Sequence, residues 1–65
     1  MADFHIEATA EHEFTIEPLT MRALEVSMVP AGQKIVQKTR GEAADYVKAH
    51  ERMGFTFSGK AVLAG

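Results

Sequence analysis

Five acidic residues stand at odd-numbered positions near the start of the chain: Asp3, Glu7, Glu11, Glu13 and Glu17. No Lys or Arg precedes Arg22, so residues 1–21 carry a net charge of −5. The remainder carries +3, from seven basic and four acidic side chains. Residues two apart on a strand leave the same face, ~6.5–7 Å from one another. The five acids therefore predict a row of carboxylates on one strand face. Such a row can occupy a Lys/Arg-rich surface built to hold a phosphate backbone. The plainer role is a solvated outer face whose charges discourage edge-to-edge pairing.

A second set of side chains suggests the opposite chemistry. Lys34 and Lys38 share one side of a β-branched run, Arg40 follows, and Lys60 comes shortly after Phe55 and Phe57. Cations beside aromatic rings suit a nucleic-acid strand, because bases stack on the rings and phosphates pair with the cations. The two phenylalanines serve equally as core. An acidic chain of pI ≈ 5.8 also lacks the broad basic footprint of most nucleic-acid binders.

Catalysis and metal binding find little support. Ser27, Ser58, His5, His12 and His50 match no nucleophile–base motif, phosphate-binding glycine loop or metalloprotease helix. His5 and His12 have opposite parity along a strand, and His50 falls beside Tyr46 and Val47 on a helical packing stripe. With no Cys there is no disulfide and no thiolate metal site. The expectation is a non-enzymatic protein with no catalytic residues, cofactor or metal.

The elements that must position these residues are legible in part. Phe4, Ile6, Ala8, Ala10, His12, Phe14 and Ile16 alternate with the polar positions, the pattern of a half-buried strand over 3–17. That is long for a strand, and Ala8–Glu11 is its weakest β-forming part, so a bend, bulge or break is expected there. Leu24, Val26 and Met28 alternate too, and Val29-Pro30-Ala31-Gly32 reads as a turn before the run Lys34–Lys38. This predicts a hairpin with strands near 22–29 and 33–38, although Met21, Leu24 and Met28 also have helical spacing. Thr39 and Glu42 form a capping-box pair, and Ala43, Tyr46, Val47 and His50 follow as one stripe, predicting a helix at about 40–53. Gly54 is placed to end it. Phe55 and Phe57 then alternate as in a strand. Met21, Met28 and Met53 are assigned to core filling.

The predicted fold is α+β: a small antiparallel sheet of three to four strands with one main helix on one face, in a single domain of residues 1–65. The expected core is Phe4, Ile6, Phe14, Ile16, Leu24, Val26, Met28, Ile35, Tyr46, Val47, Phe55 and Val62. The composition, 46% apolar and 25% charged, is that of a globular protein. No apolar run approaches the ~20 residues of a membrane span, and the start lacks the pattern of a signal peptide. A complete cytoplasmic protein is the expectation. A core this small rarely supplies more than ~3–5 kcal/mol, so a homodimer or a partner complex would add useful burial.

In length, absence of Cys and catalytic motifs, and its acidic face at Asp3, Glu7, Glu11, Glu13 and Glu17, the chain resembles small proteins of phages and mobile elements, anti-CRISPR proteins among them. The resemblance implies a stoichiometric inhibitor that covers a nucleic-acid-binding site on a larger host complex. The stretch from Lys34 to His50 is also similar to the hairpin-then-helix layout of recombinase arm-binding domains. That layout implies the alternative, a nucleic-acid module using Lys34, Lys38, Arg40 and Lys60. A third expectation is a structural, self-assembling phage protein.

Overall fold

The computed structural model describes residues 1–10, 13–29, 33–37 and 39–64. The alternating N-terminal run is two strands rather than one. β1 (Phe4–Ala10) and β2 (Glu13–Pro18) pair antiparallel, with Phe4 opposite Pro18, Ile6 opposite Ile16 and Ala8 opposite Phe14. Partners directly opposite share a face, so from Phe4 to Ala8 even-numbered residues meet even-numbered residues and Phe4, Ile6, Phe14 and Ile16 fall on one face. The register slips between Ala8 and Ala10, which face the adjacent residues Phe14 and Glu13. Thr9 is thus the extra residue of a bulge, within the segment of weakest β-propensity. Glu11 and His12 lie outside the described residues.

Residues 21–27 overturn the expected strand near 22–29. They form a helix, α1 (Met21–Ser27), because Thr20 caps it: its hydroxyl accepts from the Ala23 amide at 3.2 Å, and its carbonyl accepts from the Leu24 amide at 2.9 Å. Good helix formers at 21–25 then outweigh the short alternation at 24–28. The helix stops at Met28, left-handed at φ 58°, whose N–H donates to the Leu24 carbonyl at 3.1 Å. The hairpin joining 22–29 to 33–38 therefore does not form. The turn expected at Pro30–Gly32 lies outside the described residues.

The second β-branched run pairs elsewhere. β3 (Ile35–Gln37) lies antiparallel to β2, with Ile35 opposite Ile16 and Val36 opposite Thr15. The main helix, α2 (Arg40–Arg52), begins as predicted: Glu42 N–H donates to Thr39 Oγ1 at 3.0 Å, and Thr39 N–H donates to Glu42 Oε1 at 3.2 Å. Gly54, at φ +94°, follows its end. β4 (Phe57–Ser58) then pairs with β1, and the sheet order is β3-β2-β1-β4.

The β1–β4 pairing is parallel, so the sheet is mixed and not wholly antiparallel. The cause is α2, which carries the chain back along the sheet. A strand entered after such a crossover runs in the direction of β3, which is also that of β1. A short 3-10 turn (Lys60–Leu63) follows. Gly59 enters it at φ +82°, and a Cβ there would sit 2.3 Å from the Ile6 carbonyl oxygen, so only glycine fits without a shift.

The core joins Phe4, Ile6, Phe14, Ile16 and Phe57 of the sheet to Ala23 of α1 and to Ala43 and Val47 of α2. Ile35, Tyr46, Phe55 and Leu63 pack against it. Phe4 is its centre. Its ring stacks on Phe57 (4.7 Å between centroids) and meets Tyr46, His50 and Phe55 edgewise at 5.6–5.9 Å. His50 stacks on Tyr46 at 4.0 Å, the packing role expected for it. Leu24 is only half-buried, and Val26, Met28 and Val62 are exposed, contrary to the expected core. Helix α1 is the reason for the first three, since it turns Ala23 inward and leaves Met21 and Met28 outside; Val62 lies in the 3-10 turn, where Leu63 is the residue that packs on the core. Met53, also assigned to the core, is exposed. Among the described residues no helix is long and apolar enough to cross a membrane.

Candidate functional site

Both helices place their buried residues on the even-numbered face of the sheet, which leaves the odd-numbered face open. Reading from β4 across to β3, that face carries Ser58, then His5 and Glu7, then Glu13, Thr15 and Glu17, then Val36. The pairings set this order: His5 opposite Ser58 and Glu17, Glu7 opposite Thr15, and Thr15 opposite Val36. Glu7 and Glu13 are exposed and Glu17 is half-buried. Because Glu13 and Glu17 flank Thr15, each is a diagonal neighbour of Glu7, at about 7–8 Å across the strands. The carboxylates thus make a compact patch around Thr15, which is itself only 8% exposed. The straight row expected from one long strand does not exist, because the strand folds back.

Asp3 leaves the acidic set altogether. It is 5% exposed, and its carboxylate is fully engaged inside the protein. Arg22 clamps it through Nε to Oδ1 (3.0 Å) and Nη2 to Oδ2 (2.7 Å). The Thr20 hydroxyl donates to Oδ1 at 2.8 Å, and the Thr56 amide donates to Oδ2 at 3.0 Å. The Arg22 side-chain bonds, helped by Thr20 and Thr56, hold the Asp3 carboxyl far below the usual carboxylate range. Arg22 also donates to the Gly54 carbonyl at 2.8 Å and lies over the Phe55 ring at 4.6 Å. Asp3 is therefore a node joining the start of β1, the entry to α1 and the chain after α2. It is not available to a partner. Glu11 lies outside the described residues.

The basic residues do not assemble into one surface. Lys34 is exposed just before β3, and Lys38 lies outside the described residues. Arg40, the first residue of α2, donates to the carbonyls of Val62 (3.1 Å) and Ala64 (3.3 Å) and sits 5.3 Å from the Phe14 ring centre. Lys60 pairs with Glu51 of α2 at 2.6 Å. Both cations fasten the C-terminal turn to the main helix. Phe57 is buried and Phe55 half-buried beneath Arg22, so neither ring offers an open stacking surface.

One constellation escaped the sequence reading. His5 Nδ1 lies 2.8 Å from Ser58 Oγ, and His5 Nε2 lies 3.3 Å from Glu7 Oε1. Ser58 Oγ is also 3.3 Å from the Phe4 carbonyl oxygen. The three residues sit side by side only because β4 pairs in parallel with β1, 53 positions earlier. His5 and Glu7, same-face neighbours on a strand, were the one local signal available. Among the described residues no three His, Asp or Glu side chains converge to hold a metal ion, and no cavity opens at the surface.

Comparison with family models, curated proteins and solved structures yields no match to this chain.

Proposed function

We propose that this chain is a non-enzymatic protein-binding inhibitor or adaptor, of the kind anti-CRISPR proteins exemplify, that lays its open sheet face on a basic, nucleic-acid-binding surface of a larger complex. The observation that carries this reading is the division of the sheet. One face is closed by both helices, and the other presents Glu7, Glu13 and Glu17 with no helix over them. A patch of one sign speeds association with an oppositely charged site and selects against acidic partners. Val36, 56% exposed on the same face, gives the patch an apolar margin to bury on contact.

The nucleic-acid module draws less support. Of its four residues, Arg40 and Lys60 already hold the C-terminal turn in place.

The test is capture of the partner complex by the tagged chain, run beside Glu7→Lys/Glu13→Lys/Glu17→Lys. Wild type should capture a complex that survives nuclease, dissociates with rising salt and is displaced by added duplex DNA. The triple variant should fold and capture nothing. Equal capture by both chains rejects the acidic face, and capture lost on nuclease treatment would favour the nucleic-acid module.

A further inference from the structure

The Ser58–His5–Glu7 array has the arrangement of an activated hydroxyl. A nucleophile, a base within hydrogen-bond reach of it, and a third group that orients the base make up the signature of covalent catalysis by serine. Here the Ser58–His5 hydrogen bond is 2.8 Å long, and Glu7 stands beside the ring as a charge neighbour 3.3 Å from Nε2. The order along the array favours one arrangement of the protons. The negative charge of Glu7, 3.3 Å from Nε2, favours a ring proton on that nitrogen. Nδ1 is then the nearer acceptor for the Ser58 hydroxyl, at 2.8 Å against 3.3 Å for the Phe4 carbonyl to which that hydroxyl can also donate.

Backbone pairing holds the group together. His5 and Ser58 are register partners in the β1–β4 ladder, and His5 and Glu7 leave the same face of β1. Gly59 keeps the imidazole edge clear, since a Cβ there would lie 3.2 Å from His5 Cε1 and 3.4 Å from Nδ1. All three side chains lie on the open face, and no cavity surrounds them. That setting selects against no acyl group by shape, so reactivity depends on the leaving group.

We propose that Ser58 is a nucleophilic serine that accepts an acyl group from activated carboxylic esters. Ser58 Oγ attacks the ester carbonyl carbon as its proton moves to His5 Nδ1, and Glu7 stabilises the resulting imidazolium at Nε2. The Oγ–C bond forms and the bond from the acyl carbon to the leaving oxygen breaks. The proton on Nδ1 passes to the departing oxygen. The products are O-acyl-Ser58 and the free alcohol or phenol. This activity is independent of the docking reading, because it needs no partner.

The probe is p-nitrophenyl acetate, applied to the full-length folded chain alone. Released nitrophenolate is followed by absorbance, and the adduct is located by intact mass and peptide mapping. One acetyl group on Ser58, absent from Ser58→Ala and from the urea-unfolded wild type, is the expected result. Ser58→Ala also removes a contact between β4 and β1, so Glu7→Gln is the second variant. It should keep the wild-type circular dichroism spectrum and acetylate Ser58 at least tenfold more slowly. Acetylation on Lys60 or the N-terminal amine instead, an equal rate in Glu7→Gln, or an equal rate in the unfolded chain would each overturn the proposal.

Discussion

On the helix-covered face of the sheet, Phe4, Ile6, Phe14 and Ile16 are almost wholly buried, whereas across the same two strands Glu7 and Glu13 are exposed and His5 and Glu17 only half-buried. The alternation that separates them holds in both strands from Phe4 to Glu7 and from Phe14 to Glu17, and the pairing keeps the two sets apart up to the bulge at Thr9. What differs is whether a helix arrives. The covered face supplies most of the burial available to a 65-residue domain. The open face supplies little to stability and is free to serve recognition or chemistry. Asp3 shows that parity alone does not decide the matter. It shares odd numbering with Glu7 but precedes the strand, and Arg22 draws it inside.

The sharpest way to break this contrast is Phe4→Ala. It removes the ring at the centre of the aromatic cluster and should cost about 3–5 kcal/mol, close to the whole stability of so small a domain. A urea midpoint shifted by less than a quarter of its value would mean that the covered face is not the core.

Asp3→Asn comes next. It removes the charge that Arg22 clamps and leaves the guanidinium beside a neutral group, so Tm should fall at pH 7. The pH dependence gives an independent sign. Asp3 holds its charge more tightly when folded than when unfolded, so its contribution is fully present above the unfolded value of about 4. It is lost as pH drops below that. Wild type should therefore destabilise steeply below about pH 4, and Asp3→Asn should lose less over the same interval. Parallel pH curves would remove Asp3 from its place as a node.

The smallest effect belongs to Glu7→Gln/Glu13→Gln/Glu17→Gln. Solvated carboxylates with like-charged neighbours contribute little, so stability should change by no more than about 0.5 kcal/mol per site. Any change should be towards greater stability at low salt, where repulsion is strongest. A large loss in chemical denaturation would place these acids in the folding core rather than on a free surface.

Local signals in the sequence served well where local physics decides. The capping box at Thr39 and Glu42 is a bond between residues three apart, and helix α2 follows from it. The apolar parity of residues 4–16 names four members of the core because strand periodicity depends on neighbours alone. Helix α1 was hidden because seven residues carry both periods, and only the Thr20 cap and the burial of Ala23 decide between them. The methionines were misplaced for the same reason: an apolar stripe says that a face can be buried, not that something reaches it. The acidic patch was legible in composition but not in shape, since the hairpin turns a row into a cluster. The clamp on Asp3 and the Ser58–His5 contact were out of reach, because they depend on partners 17 to 53 residues away in the chain.

That separation has a consequence for synthesis. Thr56, which completes the shell of Asp3 with a backbone amide, is made 53 residues after it. The β1–β2 hairpin can close early, as its contacts are local, but β4 cannot take its place in the sheet until Phe57 and Ser58 have been made. Non-local closure of this kind is slow. The nascent chain therefore carries one edge of β1 unpaired until β4 has been made, and that edge is open to proteases and to wrong strand partners in the interval.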